Sequence, residues 1–163
     1  MKVLGIDPGT GRMGWGVLVK EGGKESLIDC GCFETPARSE LPSRLNSIFE
    51  FLSHLISQHQ PDEFAVESLF FANNAKTAFD VGAARGVILL AAQRQNMPIF
   101  QYTPLQIKSA LTGYGAADKK QIQYMVTKIL HLEQPPRPDD AADAVAIALT
   151  HLFHQRNPIK IRK

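Results

Sequence analysis

Only two of the 163 residues are cysteine, Cys30 and Cys32. Two thiols cannot build a disulfide framework, and no zinc-ligand spacing surrounds them. Two apart in an apolar run, they would share one face of a strand as ordinary core or surface groups. No apolar stretch approaches the ~20 residues of a membrane helix, and the first residues lack the basic-then-apolar pattern of a secretory signal. No internal repeat of solenoid length is present. These absences argue against a disulfide-stapled secreted module, a membrane protein and a repeat array. A reducing, cytoplasmic home is the expectation. What remains is an ordinary globular composition, 44% hydrophobic and 21% charged. It fits one domain over residues 1–155, followed by a basic, flexible tail at 156–163.

Charge is unevenly placed. Residues 76–128 carry seven Lys/Arg against two acids, a net of +5, whereas residues 1–75 carry six against ten, a net of −4. A basic half facing an acidic one suits a protein that grips a polyanion and holds metal beside it. Scattered, solvated charge is the competing explanation.

The apolar pattern orders the elements. Runs at 2–7, 13–19 and 26–33, separated by Pro8-Gly9-Thr10-Gly11 and Glu21-Gly22-Gly23-Lys24, predict an antiparallel three-stranded meander. Leu45, Ile48, Phe49, Leu52, Leu55 and Ile56 recur at helical spacing, predicting a helix of about four turns. A strand at 64–67, a helix from about 74 to 95 and a strand at 97–102 follow. Helices at 103–111, 118–132 and 139–153 complete the chain. Hairpins followed by strand–helix–strand units make a mixed α/β sheet covered by helices.

Four carboxylates break this pattern. Asp7 ends Lys-Val-Leu-Gly-Ile-Asp, Glu67 ends Glu-Phe-Ala-Val-Glu, and Asp140 and Asp143 open the alanine-rich last helix. A buried, unpaired carboxylate costs several kcal/mol unless it is paired or holds a metal. Acids at two strand ends and one helix start could converge on one sheet edge, where open α/β sheets gather ligands. Such carboxylates hold the divalent cations of phosphoryl chemistry. The helix-start acids and Asp7 also have simpler explanations. Asp139 or Asp140 could cap its helix, and first-turn acids suit the dipole. Asp7 could order the turn after it, or that turn could cradle nucleotide phosphates, as in actin-like ATPases, though those need two such domains. Phe70 and Phe71 beside Glu67 could stack on bases or fill core. Gly82 and Gly86, one turn apart, allow close packing against the chain's own sheet or a second subunit.

Taken together the motifs resemble the RuvC-type Holliday junction resolvases over nearly the whole chain. The residues that carry the likeness are Leu-Gly-Ile-Asp-Pro-Gly-Thr at 4–10, Ala-Val-Glu-Ser-Leu-Phe-Phe-Ala-Asn-Asn at 65–74, Gly-Ala-Ala-Arg-Gly-Val at 82–87, Gln-Ile-Lys at 106–108 and Asp-Asp-Ala-Ala-Asp-Ala at 139–144. The resemblance implies an RNase H-like fold, a five-stranded mixed sheet with three antiparallel and two parallel strands flanked by helices. It implies a homodimer that cuts four-way DNA junctions and associates with the RuvA–RuvB branch-migration complex. The catalytic and metal-binding acids it implies are Asp7, Glu67, Asp140 and Asp143. Phe70 matches an aromatic at the junction bases, and Lys108 and Lys119 match basic residues near DNA, with Lys120 a second lysine beside that position. The helix of Gly82 and Gly86 matches the dimer contact.

The chemistry expected is phosphodiester hydrolysis with two Mg²⁺ per subunit, about 3.5–4 Å apart and replaceable by Mn²⁺, giving 5′-phosphate and 3′-hydroxyl ends. Paired nicks would serve homologous recombination and repair. A non-catalytic junction-binding scaffold would not need converging acids. An RNase H-like nuclease for another nucleic acid would keep them and differ in substrate.

Overall fold

The computed structural model describes residues 1–68 and 75–154, with the side chains of residues 75–77 left aside. Among these residues five strands form one sheet in the order β3-β2-β1-β4-β5. Strands β1 (Lys2–Asp7), β2 (Arg12–Glu21) and β3 (Lys24–Glu34) make the antiparallel meander. Strand β4 (Glu63–Glu67) pairs parallel with β1, and β5 (Ile99–Tyr102) pairs parallel with β4. The helices are α1 (Leu41–His59), α2 (Ala75–Arg94), α3 (Pro104–Thr112), α4 (Lys119–Ile129) and α5 (Asp139–His154). The expected mixed sheet is present. None of the described helices is long and apolar enough to cross a membrane.

Strand alternation divides the core. On β1, Leu4 and Ile6 point to the face covered by α1 and α2, while Val3 joins the cluster beneath α5. On β4, Phe64 and Val66 take the first face and Ala65 the second. Helix α5 is buried almost all round, with Ala141, Ala142 and every residue from Ala144 to Leu152 enclosed. A helix apolar on all sides belongs inside a fold, here between the sheet and α3–α4.

Boundaries differ modestly from the periodicity. Helix α1 spans 19 residues rather than four turns, with Pro42 inside its first turn, where a missing N–H is harmless. It ends at Gln60, which turns left-handed (φ 46°). Helix α4 stops at Ile129, and His131 adopts φ 52°. Strand β5 starts at Ile99, one residue after Pro98, whose carbonyl still accepts from Phe64 N at 2.9 Å.

The sheet meets α5 through glycine. A Cβ on Gly5 would collide with the Ala144 carbonyl oxygen, one on Gly14 with the Asp140 carbonyl, and one on Gly16 would lie 2.7 Å from Val145 Cγ2. Gly5→Ala must therefore push α5 outward, an overpacking cost of about 1–3 kcal/mol. Its urea midpoint should fall at unchanged slope. Gly11→Ala, facing open space, should stay within about 0.5 kcal/mol of the parent.

Candidate active site

Strands β1 and β4 are parallel neighbours in register, Ile6 opposite Val66, so Asp7 and Glu67 emerge side by side at their carboxyl ends. By alternation both face α5. The turn after Asp7 is held tight by Thr35, whose hydroxyl donates to the Thr10 carbonyl at 2.7 Å and whose N–H donates to Gly11 O at 3.0 Å. Helix α5 brings its first turns over the glycine floor, so Asp143 arrives above the two strand ends. The resulting cleft, about 240 Å³, is lined by Asp7, Glu67, Asp143, Lys108 and Lys119, with Ile107, Ile122 and Ile147 among its apolar walls.

Two capping boxes place the lysines. At α3, Thr103 Oγ1 accepts from Gln106 N and Gln106 Oε1 accepts from Thr103 N, setting the turn that carries Lys108. At α4, Asp118 and Gln121 make the same exchange, both bonds 2.8 Å, and Lys119 becomes the first helical residue. Its ammonium donates to Asp143 Oδ2 at 2.8 Å and lies 3.5 Å from Asp139 Oδ2. Lys120 turns instead into a separate hollow of about 430 Å³ with Tyr114 and Tyr124.

Asp140 stands apart from the cleft lining. Arg12 holds it through Nε at 3.0 Å and a terminal nitrogen at 2.9 Å, while also reaching Glu34 at 3.2 Å. Asp139 accepts from Gln123 Nε2 at 3.1 Å, and this bond, with Lys119, holds its pKa below the usual carboxylate range. The acids at the start of α5 thus engage side chains of other elements. Arg12 was not singled out in the sequence; its only signal there is a cation inside the acidic half, just after the Asp7 turn. Phe70 lies outside the described residues.

Burial, reinforced by the charges of Glu67, Asp143 and Asp140 and opposed by Lys119, pushes the Asp7 pKa up to about 8. Glu67 is also raised, by burial and then by Asp143, against a hydrogen bond with Asp7. A proton on Asp7 relieves this crowding near neutral pH, while Lys119 and Arg12 offset Asp143 and Asp140. Among the described residues no three or more His, Cys, Asp or Glu side chains are gathered as a ready ion site. The chemistry nonetheless fits a divalent cation: oxygen donors only, partly buried and mutually repelling, with protein cations standing where a metal's charge would act.

The family described as crossover junction endodeoxyribonuclease RuvC matches residues 3–151. A protein of that name from Syntrophomonas wolfei is 51% identical over 156 residues, covering 96% of this chain and 91% of the relative. The structure of Thermus thermophilus RuvC superposes with a TM-score of 0.88 at 38% identity, covering 96% of each chain. T. thermophilus RuvC in complex with Holliday junction substrate gives 0.87 at 36% identity, again over 96% of each chain.

A raised carboxyl pKa has a defined linkage sign. Between the ordinary value of 3.8 and about 8, the folded chain binds more protons than the unfolded one, so stability falls as pH rises through that window. In EDTA the melting temperature should therefore decline from pH 5 to 8. Asp7→Asn should flatten this decline and melt several degrees higher at pH 8, about 2–4 °C per kcal/mol. Parallel pH profiles for the two proteins would contradict the burial and crowding assigned to Asp7.

Proposed function

The chain belongs to the RuvC family of crossover junction endodeoxyribonucleases, and we propose that it resolves four-way (Holliday) DNA junctions in homologous recombination and repair. The observation that carries this reading is the meeting of Asp7, Glu67 and Asp143 in one cleft with Lys108 and Lys119 on its rim. Nucleases of this family are metal-dependent. Asp7, Glu67 and Asp143, with Asp140 swinging from Arg12, would hold two Mg²⁺ per subunit, and Mn²⁺ would substitute. Such ions supply an activated water at neutral pH and stabilise the leaving 3′ oxygen.

The protein's own groups then have separate tasks. Asp7 gives up its proton and all four acids act as ionised ligands. Lys119 leaves Asp143 for the scissile strand, and Lys108 and Lys120 add phosphate contacts on either side. Phe70 follows Glu67 directly enough in sequence to reach bases at the opened centre. Hydrolysis leaves 5′-phosphate and 3′-hydroxyl ends that a ligase can rejoin.

Symmetric nicking needs two copies. Helix α2 leaves Phe79 80% and Leu90 52% exposed, and Gly86 on the same stripe has nothing within 4 Å of its would-be Cβ. Apolar groups so placed, together with a glycine that no neighbour crowds, suit the same helix of a second subunit in a homodimer. Residues 1–155 are the nuclease unit in this reading, with the basic stretch 156–163 beyond it. The enzyme works in the cytoplasm, where the RuvA–RuvB complex would deliver junctions.

A synthetic four-way junction should be nicked on two symmetric strands in Mg²⁺ and left whole in EDTA. Asp7→Asn should lose cleavage by about 1,000-fold or more, ~4 kcal/mol of barrier, while binding the junction normally; normal cutting would refute the site. Equal cutting of linear duplex or RNA–DNA hybrid would move the assignment to another substrate. Lys119→Ala should lower the salt slope of junction binding by about one, and an unaltered slope would remove Lys119 from the DNA surface.

A further inference from the structure

Behind the cleft lies a buried polar chain that neither capping nor the nuclease chemistry uses. Glu63, Ala65 and Glu67 alternate along β4 with the buried Phe64 and Val66, so Glu63 faces α5 from the end of the strand opposite Glu67. There His151 of α5, 0% exposed, bonds through Nε2 to Glu63 Oε2 and through Nδ1 to the Tyr102 hydroxyl at 2.7 Å. A carboxylate can only accept, so Nε2 carries the proton and the phenol donates to Nδ1. Burial lowers the His151 pKa against the pull of Glu63, consistent with a neutral ring. Burial and then the Glu63 charge push Tyr102 up to about 12, so its hydroxyl keeps its proton. Phe100 packs on the imidazole at 4.4 Å, and His154 lies edge-on to Tyr102 at 5.2 Å.

One imidazole thus ties α5 to the first residue of β4 and the last residue of β5. Tyr102 is also the register partner of Glu67, so the chain reaches the strand position beside the cleft. Elsewhere α5 meets the sheet mainly through apolar packing, Ala144, Ala148 and Val145 on glycines, with one long hydrogen bond from Lys20 Nζ to the Leu152 carbonyl at 3.4 Å. The apolar contacts fix how closely the helix approaches but, being non-directional, resist sliding along its axis only weakly. Hydrogen bonds are directional and do resist it. Of the other directional contacts, Arg12 to Asp140 and Lys119 to Asp143 use the proposed ligands themselves and are given up when those bind a cation, while Gln123 to Asp139 and Lys20 to the Leu152 carbonyl run from long, flexible side chains.

We infer that Glu63, His151 and Tyr102 form a positioning lock that fixes α5 lengthwise over β4 and β5 and so sets the separation of Asp143 from Glu67. This rests on the metal-binding role proposed above for those acids. None of the three touches the reacting atoms; they act through the ligands they align, as outer-shell partners do at metal sites.

The test is Mn²⁺ affinity of the full chain, by calorimetry or electron paramagnetic resonance, beside junction affinity in EDTA. Tyr102→Phe, which removes one oxygen, and Glu63→Ala should each weaken Mn²⁺ binding about 10-fold and leave junction affinity within about twofold. Glu63→Gln, which keeps an acceptor for Nε2, should restore near-parental Mn²⁺ binding. Ile56→Val, a core change on the opposite face of the sheet, should not alter it. Parental Mn²⁺ affinity in both Tyr102→Phe and Glu63→Ala overturns the lock, as does an equal loss in Ile56→Val. Parental binding that Asp7→Asn leaves unchanged would instead overturn the metal assignment itself, and the lock with it.

Discussion

Helix α5 lies on β1 and β2 with no side chain between them at Gly5, Gly14 and Gly16, where even a methyl group would strike the helix backbone or Val145. Everything in the cleft depends on that closeness. Strand ends can present Asp7 and Glu67, but two carboxylates on adjacent strands do not surround an ion. A third must come from above, on a helix near enough for a short aspartate side chain to reach. Ala144 and Ala148 permit it from the helix side, the glycines from the sheet side. Bulkier residues would have bought more buried area and lost the geometry.

That geometry is electrostatically uncomfortable. Asp7 is held near pKa 8 by burial and by its acidic neighbours, so the metal-free protein carries a strain that a proton or a cation relieves. The surrounding basic groups share in the relief: Lys119 sits on Asp143 and Arg12 on Asp140. In the function proposed above, such a site would take up divalent ions because its present partners are exchangeable. In that reading Lys119, now on Asp143, would pass to a phosphate without leaving the α4 N-terminus. Stability is spent where activity needs repulsion, a common tension at catalytic centres.

Much of the fold, and the approach of Asp7, Glu67 and Asp143 to one another, was legible because each acid interrupts an apolar pattern whose period was clear. Asp7 and Glu67 follow runs that only a strand explains, and the sheet order then makes them neighbours. Spacing placed Asp140 and Asp143 on one helix face but not in one environment: Asp143 enters the cleft while Asp140 turns to Arg12. Direction within a face depends on which long side chain arrives from elsewhere, and no local pattern encodes Arg12 crossing 128 residues to do so. Which of Lys119 and Lys120 lines the cleft was more accessible. Ile122 and Val126 are the buried face of α4, and Lys119 precedes them by three and seven, so helical spacing turns it inward. Glu63, His151 and Tyr102 gave no signal, since each is unexceptional alone and they meet only through the tertiary fold.

The two ends of β4 show how one surface can serve both chemistry and architecture. Its α5-facing row reads Glu63, Ala65, Glu67: an acid bonded to a buried histidine, a small residue that lets the helix close, and an acid open to the cleft. Were Ala65 larger, α5 would tilt, parting Glu63 from His151 and carrying Asp143 away from Glu67. Were Glu63 apolar, His151 would keep only the tyrosine and a buried N–H would be left unmatched, a cost of about 1–3 kcal/mol. The anchored end therefore constrains the reactive end through a helix that cannot lean, because glycine and alanine leave it no slack, and cannot slide, because the histidine is bonded on two sides.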